Sequence, residues 1–216
     1  ASLVNVINGV GSLPTKNWQE AYYEKAEDVS GEALAEKYLV KAGACHRCPI
    51  ACGRVVKVGD KVVGGPEYEP LWAYGANMDN NDLASINEAN MWCNEYGLDA
   101  ISVPCTIAAA MELYQRGAIK EEDCAGYPLE WGNVASLIEW TKRMGDPKTE
   151  LDWLMSSGSH RLCEHYGMPE VSMSVKKQEM PAYDARGIQG IGITYATSNR
   201  GGCHVRGYTI APEVVG

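Results

Sequence analysis

Four apolar-periodic stretches that each stop at a glycine, Gly97, Gly117, Gly145 and Gly167, constrain the fold of this 216-residue chain more than any other pattern in it. Leu83, Ile86, Ala89, Asn90, Cys93 and Tyr96 recur at helical spacing, so residues 82–96 read as a helix. Gly97 then supplies the left-handed residue that ends it. A second helix opens at Ser102-Val103-Pro104, a capping serine with proline in the first turn, and runs through Ile107, Ala110, Met111 and Tyr114 to Gly117. The same rule gives helices over 131–144 and 149–166, and residues 18–29 and 31–40 complete the helical set. Strand signals are confined to 55–63, a short hairpin turned at Gly59-Asp60. The expected fold is mainly α, irregular helical domains with one short β-hairpin. Two softer stretches, 59–81 and 168–202, are rich in glycine, proline and asparagine and read as irregular. The first suggests a division into a segment 1–81 and a helical domain 82–216, and the second is long enough to be a functional loop.

The hairpin follows Cys45-His46-Arg47-Cys48-Pro49-Ile50-Ala51-Cys52-Gly53, three cysteines at C-x2-C-x3-C spacing. Thiolates so close in sequence can turn toward one centre, as an iron–sulfur cluster requires, though a cubane takes four sulfurs and the loop offers three. Structural zinc uses the same half-motif but adds a second C-x2-C or an H-x3-5-H, and neither is present. His46 sits between two cysteines with awkward geometry, and His160 and His165 lie on a separate helical stretch. A disulfide framework fits poorly with eight scattered cysteines and no signal peptide. Free thiols remain the third alternative. A net charge of −9 without a basic run leaves no footprint for nucleic acid. No apolar stretch reaches the ~20 residues of a membrane span. A cytoplasmic-type chain is the expectation.

Three further clusters carry chemistry. Gly65-Pro66-Glu67-Tyr68-Glu69-Pro70 places two carboxylates in an extended stretch, where only one can face a given cavity. Asn94 and Asp99 bracket the glycine stop at 97, either as caps of two neighbouring helices or as acceptors for the NH groups of a heterocycle. Residues 197–207 hold Arg200, Cys203, His204 and Arg206 on a glycine-rich turn. Arginine forks and free backbone amides there suit an anion.

In order along the chain, Cys45-x2-Cys48-Pro49-x2-Cys52-Gly53, Gly65-Pro66-Glu67-Tyr68-Glu69, Asn94-x2-Gly97-Leu98-Asp99 and Tyr195 through His204 resemble the tungsten-dependent aldehyde:ferredoxin oxidoreductases. Leu13-Pro14-Thr15-Lys16-Asn17 resembles the start of that family's second segment, so the likeness covers nearly the whole chain. It implies an enzyme that oxidises aldehydes to carboxylic acids and passes electrons singly through a [4Fe–4S] cluster to ferredoxin. The metal would be tungsten, or molybdenum, held by two pterins. By the same resemblance Cys45, Cys48 and Cys52 ligate the cluster, and Asn94, Leu98 and Asp99 stand where a D-x-x-G-L-D motif holds a pterin. Asn94 departs from that motif, because an amide accepts hydrogen bonds without contributing charge. Arg200 and Arg206 are expected against the pterin phosphate or ring edge. Glu69, Glu88 and His204 are expected near the metal, moving protons or orienting substrate; His204 is otherwise a structural donor in a tight turn.

The resemblance also implies a missing amino-terminal domain and a fourth cluster cysteine beyond Gly216, with Cys93, Cys105 or Cys203 as the internal substitutes. The chain alone is therefore expected to be inactive and without tungstopterin. A cluster-bearing electron-transfer module without catalysis, and a zinc-stabilised helical interaction domain, are the alternatives from other functional classes.

Overall fold

The computed structural model describes residues 3–214. After α1 (Leu3–Gly9) the chain turns through 15–20 and enters α2 (Gly31–Tyr38), followed at once by β1 (Leu39–Gly43). The strands β2 (Gly53–Val58) and β3 (Lys61–Gly64) complete an antiparallel sheet of order β1-β2-β3. Next come α3 (Tyr68–Tyr74), α4 (Leu83–Tyr96), α5 (Ser102–Gln115), α6 (Val134–Gly145), α7 (Glu150–Ser156) and α8 (Ser159–His165). A minimal hairpin of β4 (Ser174–Val175) and β5 (Gln178–Glu179), then α9 (Gln189–Thr197) and α10 (Ile210–Val214), end the described chain. The expected mainly α architecture is what the chain adopts, and the hairpin turns at Gly59-Asp60 with Val58 opposite Lys61.

The centre of the molecule is α5, in which every residue from Val103 to Leu113 is buried. It packs against α3, α6, α7 and α8. One apolar cluster runs from Val4 through Leu71, Ile107 and Leu137 to Ile210, so residues on both sides of position 81 share a core. The chain has no Phe, and its core aromatics are Tyr and Trp, whose polar ends need partners. Trp72 donates from Nε1 to the Pro14 carbonyl at 2.6 Å, and the Tyr74 hydroxyl meets Cys93 Sγ at 3.1 Å and Thr141 Oγ1 at 2.9 Å.

Several expectations are corrected. The stretch 59–81 is not irregular throughout, because it contains α3, whose residues Glu69 to Tyr74 are all buried. A helix covered on every side shows no amphipathic stripe for periodicity to find. The helix expected over 149–166 breaks at Gly158 (φ 93) into α7 and α8. Residues 31–40 divide between α2 and β1, and 168–202 contains a hairpin and α9. In place of a helix over 18–29 there is a 3-10 turn at Ala26–Val29, preceded by a tight reversal closed by a Thr15–Glu20 bridge.

That reversal holds Lys16, Asn17 and Trp18 at φ 48, 49 and 67, three successive non-glycine residues in left-handed conformation. Such backbone costs on the order of 1 kcal/mol per residue. Hydrogen bonds offset the cost: Lys16 N–H to the Ala76 carbonyl and Asn17 N–H to the Asn77 carbonyl, both 3.1 Å. The Asn17 amide also donates to Glu112 Oε2 at 2.7 Å and to the Val171 carbonyl at 2.9 Å, all buried. Asn17→Ala strands those acceptors and forfeits a side chain that tolerates this conformation. It should lower the unfolding free energy by about 2 kcal/mol, read as a lower urea midpoint at unchanged slope.

Candidate active site

Glu69 lies in the first turn of α3, on the covered side of a helix that packs against α1, α4 and α5. Only 8% of it is exposed. Its Oε2 accepts the Ala182 N–H at 2.9 Å, while Oε1 has no hydrogen-bond partner and sits 3.7 Å from His204 Nε2. Burial drives the carboxyl up to about 8, against the opposing pull of the Ala182 N–H and the Tyr183 hydroxyl. His204 moves the other way: burial, and then the Arg200 guanidinium, hold its imidazole below the usual range. At neutral pH the pair is therefore a carboxylic acid beside a neutral imidazole, a proton donor and a proton acceptor side by side.

The turn that carries His204 leaves α9 at Ser198 and lies across the β4–β5 hairpin. Gly201 (φ 103) permits this, since a Cβ there would stand 2.3 Å from the Val175 carbonyl oxygen. The Tyr183 ring packs 5.8 Å from the imidazole and 5.4 Å from the Tyr68 ring, fixing His204 from the side opposite solvent. Burial pushes the Cys203 thiol up, but the N–H groups of Val205 and Arg206, with the Arg200 guanidinium, outweigh burial and hold it below its ordinary value.

Two cavities meet at Arg200. One, of about 210 Å³, is lined by Asp99, Ser102, Glu179, Arg200, Cys203 and His204. The other, of about 500 Å³, is lined by Thr197, Ser198, Asn199, Arg200 and Arg206. Arg200 and Arg206 are exposed and so present their guanidinium groups to this space. Asp99 Oδ1 accepts the Ile101 and Ser102 N–H groups at 2.8 Å each, capping α5, and its second oxygen takes no part in that cap. Asn94 is exposed at the end of α4, Gly97 (φ 67) turns the chain there, and Leu98 packs half-buried against the core; neither Asn94 nor Leu98 lines either cavity. Asp99, Arg200, Arg206, Glu69 and His204 are thus brought to one region. Glu88 is not: on α4 its Oε1 accepts from Trp92 Nε1 at 3.3 Å and lies 3.7 Å from Lys142 Nζ, beside a different depression.

The cysteine loop joins β1 to β2 above the closing pair Gly43–Gly53. Arg47 and Ala51, at φ 57 and 50, bend it beside the sulfurs, and the Cys48 N–H closes on the Cys45 carbonyl at 3.0 Å. Cys45 and Cys52 are exposed and Cys48 half-buried, all three unpaired. In kind and spacing these soft donors suit iron–sulfur or zinc, yet among the described residues no three His, Cys, Asp or Glu side chains converge on one point. Cys93, Cys105 and Cys203 are buried apart from the loop, and none completes a fourth position there among those residues. Arg54, which the sequence did not single out, ties the loop to the site: it donates to the Cys52 carbonyl at 3.3 Å, the Pro66 carbonyl at 2.9 Å and Glu67 Oε2 at 3.0 Å, immediately before α3. Glu179 was missed too, since an isolated acid in a short hairpin carries no pattern.

Burial of Glu69 gives stability a pH dependence. An unfolded glutamate ionises near 4.5, whereas the native carboxyl keeps its proton to about 8. Between those values the unfolded chain has lost a proton that the native state retains, so stability present below pH 4.5 drains away as pH rises to 8. The slope reaches about 1.4 kcal/mol per pH unit. Glu69→Gln, with nothing to titrate, should flatten this segment of the denaturation-midpoint profile relative to wild type.

A family model described as aldehyde ferredoxin oxidoreductase, domains 2 and 3, matches residues 1–216. The chain is 50% identical over its whole length to the tungsten-containing aldehyde ferredoxin oxidoreductase of Thermococcus kodakarensis and 51% identical to that of Pyrococcus furiosus, covering 36% of each. It is 28% identical, over 92% of its length, to the WOR-like subunit of an aliphatic sulfonate oxidoreductase of P. furiosus. Among solved structures, the active-site complex BamBC of benzoyl coenzyme A reductase shares the fold, with TM-score 0.65 and 19% identity over 80% of this chain and 27% of that one. The chain thus spans little more than a third of the curated relatives it matches, and it belongs to the aldehyde ferredoxin oxidoreductase family.

Proposed function

We propose that the protein of which this chain forms a part oxidises an aldehyde with water to a carboxylic acid, R–CHO + H2O → R–COOH + 2 e− + 2 H+, and delivers the electrons singly to ferredoxin. The observation that carries this reading is the buried carboxyl of Glu69, 3.7 Å from the half-buried imidazole of His204, which in turn lines a cavity with Arg200, the arginine shared with the neighbouring cavity that Arg206 borders. A tungsten ion, or molybdenum, bound through two pterins would supply the two-electron acceptor.

The residues of this chain do the rest. His204, neutral because it is buried beside Arg200, takes a proton from the oxygen that adds to the carbonyl carbon. Glu69, protonated at neutral pH, lines neither cavity and faces His204 from the core side, so it acts on the substrate only through the imidazole, whose orientation and proton it influences. Arg200 and Arg206 would hold the pterin phosphate and Asp99 would accept from the pterin NH groups, with Asn94 and Leu98 bordering the same turn. Cys45, Cys48 and Cys52, exposed or half-buried at the end of the sheet, would hold the [4Fe–4S] cluster and supply a route for single electrons to an approaching protein. The remaining two-thirds of the relatives' length supplies the fourth sulfur and the opposite wall of the site, so this chain alone is inactive. A zinc-stabilised interaction domain is disfavoured because Cys45, Cys48 and Cys52 are absent from the apolar core, which forms without them.

The test uses the full-length protein produced anaerobically with tungstate. Aldehyde-dependent reduction of ferredoxin, with tungsten and iron bound, is expected. Glu69→Gln and His204→Ala should each lower kcat by about 10²–10⁴-fold at unchanged metal content. Cys48→Ser should lose iron and ferredoxin reduction while tungsten stays. Full-length protein loaded with tungsten and iron that leaves aldehydes unchanged, or zinc in place of iron at the cysteine loop, overturns the reading.

A further inference from the structure

Oxidation of each aldehyde releases two protons into a site whose inner wall is closed by the core, and they must leave as fast as the electrons do. Glu179, only 5% exposed, lines the same cavity as His204. Its Oε1 accepts from Ser159 Oγ at 2.8 Å, Ser159 Oγ meets Ser172 Oγ at 2.9 Å, and Ser172 Oγ meets Ser174 Oγ at 2.8 Å. Ser159 is buried, whereas Ser172 and Ser174 are half-exposed, so the row leads from the cavity to the surface. Each serine hydroxyl can accept and donate, and Glu179, an acceptor from Ser159 as it stands, becomes a donor once protonated, the condition for a proton to enter at one end while another leaves at the other after the hydroxyls turn. A cavity of about 210 Å³ also has room for several waters between His204 and Glu179.

We infer that Glu179, Ser159, Ser172 and Ser174 form a proton-exit relay that carries the protons of aldehyde oxidation from the His204 side of the cavity to solvent. The inference rests on the aldehyde-oxidising reading above. In each transfer the Glu179 carboxylate gains a proton from cavity water and passes it to Ser159 as the Ser159 hydroxyl proton moves to Ser172. The Ser172 proton moves on to Ser174, which releases its own to bulk water. Reorientation of the hydroxyls resets the row, with no change in covalent structure and no oxidant consumed. A purely structural role competes with this, because the Ser159 N–H also donates to Glu179 Oε1 at 2.8 Å and so docks the start of α8 on β5.

Ser172→Ala in the full-length enzyme separates the two, since it cuts the row without touching that N–H contact or the Glu69–His204 pair. The expected result is a kcat at least about tenfold lower at unchanged KM and metal content, with a larger solvent deuterium isotope effect. Ser172→Thr, which keeps the hydroxyl, should restore both. A second measurement needs no turnover: in acidic D2O, infrared exchange of the Glu179 carboxyl proton, its band identified by loss in Glu179→Gln, should be fast in wild type and slowed in Ser172→Ala. Normal exchange in Ser172→Ala overturns the relay, whatever happens to kcat, as does unchanged kcat and isotope effect in an active enzyme. Slowed exchange in a protein that oxidises no aldehyde keeps the relay and rejects the assigned reaction instead.

Discussion

A carboxyl group taken out of water and tethered by one backbone hydrogen bond organises this structure. Glu69 Oε2 holds the Ala182 N–H at 2.9 Å, and the Tyr68 hydroxyl donates to the Ala182 carbonyl at 2.8 Å, so consecutive residues of α3 grip both polar groups of one residue 113 positions away. From α9, Tyr195 reaches the Pro181 and Tyr183 carbonyls at 3.3 Å each. The bent run 181–184 is thereby clamped between two helices. It presents the Tyr183 ring to His204, and the imidazole takes its place next to the free oxygen of Glu69.

The clamp explains why the core is built from Tyr and Trp with no Phe. A phenylalanine would fill the same volume without the hydroxyl that fastens a non-regular strap to its neighbouring helices. Burial does two things here at once. It supplies the apolar area that holds α3 and α5 at the centre, and it pushes Glu69 up and His204 down until the proton sits on the carboxyl. Stability at high pH is sacrificed for a donor and an acceptor matched near neutrality.

Much of this was legible in the sequence where a local rule governs. Left-handed glycines at 97, 117 and 167 follow α4, α5 and α8, whereas Gly145 is the last residue of α6 itself, whose start lies at Val134 rather than 131; the Gly59-Asp60 turn fixes the register of β2 on β3. What the sequence concealed depends on tertiary context. Helix α3 is wrapped on every side and so has no stripe; the reversal at Lys16–Asn17–Trp18 is held by partners some 60 residues on; and the cysteine hairpin gains β1, whose exposed residues show no alternation. At the site, Glu69, His204, Arg200, Arg206 and Asp99 were visible as chemistry-bearing residues in glycine- and proline-rich stretches, and the fold brings them together. Glu88 had the right chemistry but lies on another face of α4, and Arg54 and Glu179, isolated charges in strands, became meaningful only through the carbonyls and hydroxyls they touch.

The way the cysteine loop is mounted has a consequence for biogenesis. Its two ends are pinned by strand pairing at Gly43–Gly53 and by Arg54, none of which involves sulfur, while the thiols themselves stand at the periphery. The backbone of the loop is therefore set independently of its thiols. If the proposed cluster is held there, it can be inserted from outside after the chain has folded, and its loss would leave the scaffold in place.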